Sequence, residues 1–127
     1  MHPKRLARFV QKWFAEWESS PAVFGRATEL LAHLIETRPD DAWERILALV
    51  AHAKNEVSLS YVGAGPLEDL LSEHGRVIIA RVESTVATNP RFVACLARVW
   101  GGSRMEPSVY ARVQELLNKS SYEAPKA

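Results

Sequence analysis

Apolar residues recur along this chain at intervals of three and four, the spacing that gathers side chains onto one stripe of an α-helix. Over residues 4–18 the stripe is Leu6, Phe9, Val10, Trp13, Phe14 and Trp17, and the opposite face carries Lys4, Arg5, Arg8 and Lys12. Ser19, Ser20 and Pro21 interrupt it, because proline lacks an amide proton and disfavours helical geometry in the residue before it. A second stripe of Val23, Ala27, Leu30, Leu31, Leu34 and Ile35 runs toward Arg38. Pro39 opens a third helix, with Asp40, Asp41 and Glu44 where the helix dipole favours negative charge and with Trp43, Ile46, Leu47 and Val50 on its buried face.

The segment 55–64 alternates instead: Val57, Leu59 and Tyr61 interleave with Ser58 and Ser60 as in a strand, yet no second strand is available to pair with it. A short helical turn or an extended connector is expected there. Gly65 and Pro66 are expected to restart a helix and Gly75 to end it. Ile78, Ile79, Val82 and Val86 mark the next helix, which stops near Asn89, a cap for another beginning at Pro90. Phe92, Val93, Leu96, Val99 and Trp100 form that helix's stripe, with Gly101 and Gly102 as its stop. After Pro107, the residues Val109, Tyr110, Val113, Leu116 and Leu117 supply a last helix, and the polar residues 119–127 are expected to fray.

Short connections force helices into antiparallel neighbours. The expected fold class is therefore all-α, a compact orthogonal bundle of about six to seven helices, with a short HEAT-like stack of helical hairpins as the alternative. Residues 1–118 are read as a single domain, because 127 residues, 47% of them hydrophobic, supply one core and not two.

Charge narrows the field of partners. The formal net charge is only +1, whereas a dedicated nucleic-acid binder concentrates a basic excess. Cys95 is the single cysteine, so no intrachain disulfide forms and a reducing cytoplasm is the expected location. No apolar run is long enough for a signal peptide or a membrane span, so neither export nor membrane insertion is expected.

Candidate chemistry centres on Glu68, Asp69, Glu73 and His74, since carboxylates beside a histidine are the groups general acid and base catalysis uses. Helical spacing works against convergence. His74 follows Leu67 and Leu70 along the apolar stripe, while Glu68, Asp69 and Glu73 point away from it, so capping of the helix dipole is the favoured reading. His52, Lys54, Asn55 and Glu56 form a second polar group where a helix ends. The four histidines show no metal-ligand spacing, and neither a metal nor a cofactor is expected. Cys95 reads as a small buried hydrophobe, and Gly63-Ala64-Gly65-Pro66 as a turn, lacking the lysine of a phosphate-cradling loop. Of the four tryptophans, Trp43 and Trp100 are read as core; for Trp13 and Trp17 core is also the favoured reading, the alternative being that one of them sits at the rim and engages a partner.

The run Gly65-Pro66-Leu67-Glu68-Asp69-Leu70-Leu71, followed by His74-Gly75, resembles the signature of an uncharacterised family of small bacterial helical domains. Trp43, Asn89-Pro90, Phe92, Leu96 and Val99-Trp100 are similar to the rest of its pattern, over residues 43–117. The resemblance implies a compact helical fold and a bacterial origin, and brings no activity, cofactor or substrate with it.

The expected function is a non-enzymatic protein-interaction domain, such as an adaptor or an immunity protein that blocks a toxin. Glu68, Asp69, His74, Trp13, Trp17 and Tyr61 are its candidate partner-binding residues, with no catalytic residue assigned. One alternative is a small hydrolase or transferase using Glu68, Asp69 and His74, or the group around His52. Another is weak nucleic-acid binding through the basic face of the first helix. Oligomeric state and partner identity are open at this stage.

Overall fold

The computed structural model of the chain describes residues 3–19 and 25–120. Helix α1 spans Pro3–Ser19, α2 Arg26–Thr37, α3 Pro39–His52, α4 Glu56–Val62, α5 Glu68–Val86, α6 Pro90–Leu96 and α7 Pro107–Lys119. Among the described residues there is no strand. The expected stop at Ser20 and Pro21, the start of the second stripe at Val23, and residues 121–127 of the expected fraying tail lie outside the described residues. Lys119, placed in that tail by sequence, is instead the last residue of α7.

Helix α3 is the centre of the packing, touching α1, α2, α4, α5 and α6. In a stack of hairpins each helix would meet chiefly its sequence neighbours, so this is a bundle. Ile46 and Leu49 of α3, Leu70, Leu71 and Ile78 of α5, and Phe92 and Leu96 of α6 are fully buried together. Trp43 packs edge-on against Phe92, with ring centroids 5.5 Å apart. Arg91 closes the base of α3, donating from Nε to the Val50 carbonyl at 2.6 Å and from Nη2 to that of Ala53, carbonyls that helical geometry leaves without partners.

Side-chain caps set several helix starts. Asn55 Oδ1 accepts the Ser58 amide at 2.9 Å, and Asn89 Oδ1 accepts that of Phe92 at 3.0 Å. Glu16 of α1 reaches across to α2, taking the amides of Ala27 and Thr28 at 2.9 Å each and the Thr28 hydroxyl at 2.8 Å.

The middle of the chain departs from expectation. Of the two forms expected over residues 55–64, the helical one is found, from Glu56 onward with Asn55 as its extended cap, but Gly65-Pro66 does not open a new helix. Instead α4 runs into α5 through a π-helical turn, Gly63–Leu67. Pro66 explains the widening: its ring crowds the carbonyl four residues back, and the wider turn relieves that clash. Gly63 is needed for packing, since a Cβ there would strike the Cys95 carbonyl. The helix end expected at Gly75 falls one residue before it, since the span Glu68–Val86 joins two helices across a kink. Gly75 itself lets α5 approach α7 closely, because a Cβ there would come within 2.7 Å of Val109. The axis bends one residue earlier, at His74, with φ −132° and ψ 28°.

Helix α6 also stops sooner than its stripe implies. Arg98 and Val99 donate to Cys95 and Leu96 at 3.0 and 3.1 Å, tightening the last turn and ending the helix before Gly101. Trp100, read from sequence as core, is turned out into solvent at 82% exposure.

Candidate functional site

The aromatic residues singled out by sequence converge. Trp13 and Trp17 stand one turn apart on α1, and the capped α4 brings Tyr61 against both, at centroid distances of 5.8 Å and 4.5 Å. Trp13 is buried, Trp17 half-buried, and Tyr61 forms the rim at 37% exposure. Beside them runs a groove of about 190 Å³ lined by Trp13, Thr28, Ala32, Tyr61, Pro66 and Asp69. Gly65 keeps one wall open, with no atom within 4 Å of where a Cβ would stand.

Glu68 does not point away from the core, as helical spacing had it. It is 7% exposed. One carboxylate oxygen accepts the Trp100 amide at 2.6 Å and the other a bond from Arg104 at 3.0 Å. The second Nη of Arg104 donates to Asp69 at 2.9 Å. A turn carries Arg104 there, closed by the Gly101 carbonyl, which accepts the amides of Arg104 and Met105. Hydrogen bonding and charge from Asp69, with further help from Glu68, hold the Arg104 guanidinium above its ordinary range. Asp69 on the groove and the amide of exposed Trp100 are thus tied through the Arg104 guanidinium and the Glu68 carboxylate in turn.

His74 stands apart from the two acids. It lines a separate cavity of about 280 Å³ with Ser72, Glu73, Arg76 and Glu106, and Arg76 pairs with Glu106 at 2.6 Å. His74 Nε2 and Ser72 Oγ are buried there without a hydrogen-bond partner. The group around His52 is dispersed as well. The imidazole of His52 meets the Ala48 carbonyl at 2.9 Å, Lys54 lies 3.9 Å from Glu18, and Glu56 pairs with Arg98 at 3.0 Å.

Cys95 is fully buried, its thiol donating to the Leu59 carbonyl at 3.6 Å. Burial pushes the thiol up to about 12, against the opposing charges of Arg91 and Arg98, so it stays protonated. Among the described residues no group of three His, Cys, Asp or Glu could hold a metal ion, and no helix is long and apolar enough to cross a membrane. A larger cleft of about 740 Å³ opens where α5 ends and α6 begins, against Leu116 and Lys119 of α7.

Sequence reasoning missed Trp100 because Val99 and Trp100 continue the spacing of Phe92 and Leu96. Gly101-Gly102 marked a stop in the sequence, but the helix ends earlier, at Leu96, where no residue type announces it.

A family model described as "Family of unknown function (DUF6869)" matches residues 17–121. The match takes in α2, which the resemblance read from sequence had left outside. No curated protein and no solved structure matches the chain.

Proposed function

We propose that this chain, which belongs to the DUF6869 family, is a non-enzymatic protein-interaction domain. One observation carries the reading: Trp100 is 82% exposed while a buried carboxylate fixes its backbone. Leaving an indole in water forgoes roughly 2 kcal/mol or more of burial. Fixing its backbone in advance lowers the ordering cost when a partner covers it. Exposed, preorganised tryptophan is the material of interface hot spots.

An adaptor and a toxin-blocking immunity protein are the two roles we have in view. The near-neutral charge disfavours a strongly basic nuclease as target. A bacterial cytoplasm is the setting that accompanies the proposal, supported by a lone cysteine kept as a buried thiol. The hydrolase or transferase alternative asks for Glu68, Asp69 and His74 in one cleft. With the acids on Arg104 and the imidazole in another cavity, the geometry favours interaction over catalysis.

The test compares the tagged chain with its Trp100→Ala variant, both expressed in the native host, cross-linked and purified side by side. A stoichiometric partner held by the parent, lost from the variant, and rebinding as a purified protein supports the proposal. No such partner, or equal recovery with the variant, overturns it.

A further inference from the structure

Arg5, Arg8 and Lys12 project from the outer face of α1, and α2 brings Arg26 to the same place. Together they surround a recess of about 240 Å³ whose apolar surface comes from Phe9, Ala27 and Leu30. All four cations are exposed, and among the described residues no salt bridge holds any of them. Glu16 feels the charge of Lys12, but its oxygens are occupied by the amides of Ala27 and Thr28. Arg5 with Arg8, and Arg8 with Lys12, are like charges one helical turn apart, an arrangement that disfavours the helix carrying them. Within a chain of net charge +1, this is a local concentration that folding alone does not reward. Leu30, 42% exposed, lies beside it as uncovered aliphatic surface.

We propose that this groove binds an acidic protein segment that sets one aliphatic side chain on Leu30 and places carboxylates against Arg5, Arg8, Lys12 and Arg26. The proposal rests on the reading of the chain as an interaction domain and adds the chemistry of a partner, at a surface separate from Trp100. A nucleic-acid backbone fits less well. The charges of α1 span only about 10 Å of helix, and a phosphate track would leave Leu30 uncovered. A lipid surface is also disfavoured, because Phe9 is buried and one exposed leucine is too little apolar surface to anchor a helix.

The probe is a fluorescein-labelled peptide with a leucine between pairs of glutamates, titrated by fluorescence anisotropy at low and physiological salt. Its comparison ligands are the same peptide with serine for leucine, single-stranded and duplex DNA, and phosphatidylserine vesicles. Saturable binding of the leucine peptide is expected. Arg8→Glu combined with Arg26→Glu should weaken it at least about tenfold, and Leu30→Ser several-fold, while Trp100→Ala leaves it unchanged. The milder Arg26→Gln should lower affinity with helical content, read by circular dichroism, intact. Absence of peptide binding, indifference to the charge reversals, or tighter binding of DNA or vesicles through the same residues would sink the proposal. If partner capture through Trp100 fails while the peptide still binds as described, the failure belongs to the Trp100 reading and not to the groove.

Discussion

Glu68, a buried carboxylate, holds the backbone amide of Trp100, the most exposed large apolar residue described, at 2.6 Å. Fold and surface meet in that bond. Removing a charged acceptor from a buried pair costs about 2–3 kcal/mol, so Glu68→Ala is expected to lower the urea midpoint accordingly. It should also speed hydrogen exchange at the Trp100 amide, whereas Glu68→Gln, which keeps an acceptor, does less on both counts. Unchanged exchange at Trp100 would show that the turn holds itself.

Trp100→Ala separates binding from stability. An exposed side chain contributes little to folding, and its removal is expected to shift stability by no more than about 0.5 kcal/mol in denaturant titration. A larger loss would mean that the indole covers part of the core.

Glu16 makes the joint between α1 and α2 sensitive to acid. Partial burial pushes its carboxyl upward, but bonds from the amides of Ala27 and Thr28 and from the Thr28 hydroxyl, with the charge of Lys12, outweigh this and hold it below the usual carboxylate range. A folded-state value depressed in this way stabilises fully above the ordinary range, and the benefit is lost as pH falls through the folded-state value. Glu16→Gln should therefore flatten the acid limb of the stability curve relative to the parent. Parallel limbs in the two proteins would refute the assignment.

The Cys95 thiol, pushed up to about 12 by burial, should resist thiol-specific disulfide reagents in the native protein and react fully in denaturant. Rapid reaction of the folded chain would place Cys95 nearer the surface than described.

Gly75→Ala tests the contact between α5 and α7. The added methyl would come within 2.7 Å of Val109, and overpacking of this kind costs about 1–3 kcal/mol. Val109→Ala in the same chain should recover part of the loss, a coupling measured by a double-mutant cycle.

What the sequence disclosed and what it hid divide along a physical line. Pro39, Asn89 and Pro107 act through their own backbone or the next turn, and the helices start where those residues say. The aromatic cluster was legible in part: Trp13 and Trp17 share one stripe, whereas nothing in the alternating pattern around Tyr61 brought it to them. Glycine and proline misled in the middle of the chain because both admit two readings. Gly75 serves close packing beside a helix break that falls on His74, and Pro66 was accommodated by a wider turn instead of breaking the helix. Glu68 was illegible for another reason: its partners Trp100 and Arg104 lie 32 and 36 residues away, and no local periodicity announces them. Trp100 was misplaced with them, since the turn that expels it is set by hydrogen bonds rather than by residue type.

The widened turn at Gly63–Leu67 works as a phase shift between two stretches of one continuous rod. An i→i+5 turn takes up one residue more than an α-helical turn, so the faces that follow point where a regular helix one residue shorter would send them. Were the turn to tighten with the chain length unchanged, the residues from Glu68 to the bend at His74 would rotate by about 100°, carrying Glu68 off Trp100 and Asp69 off the aromatic groove. The aim of the first part of α5 is therefore set by that one loosened turn.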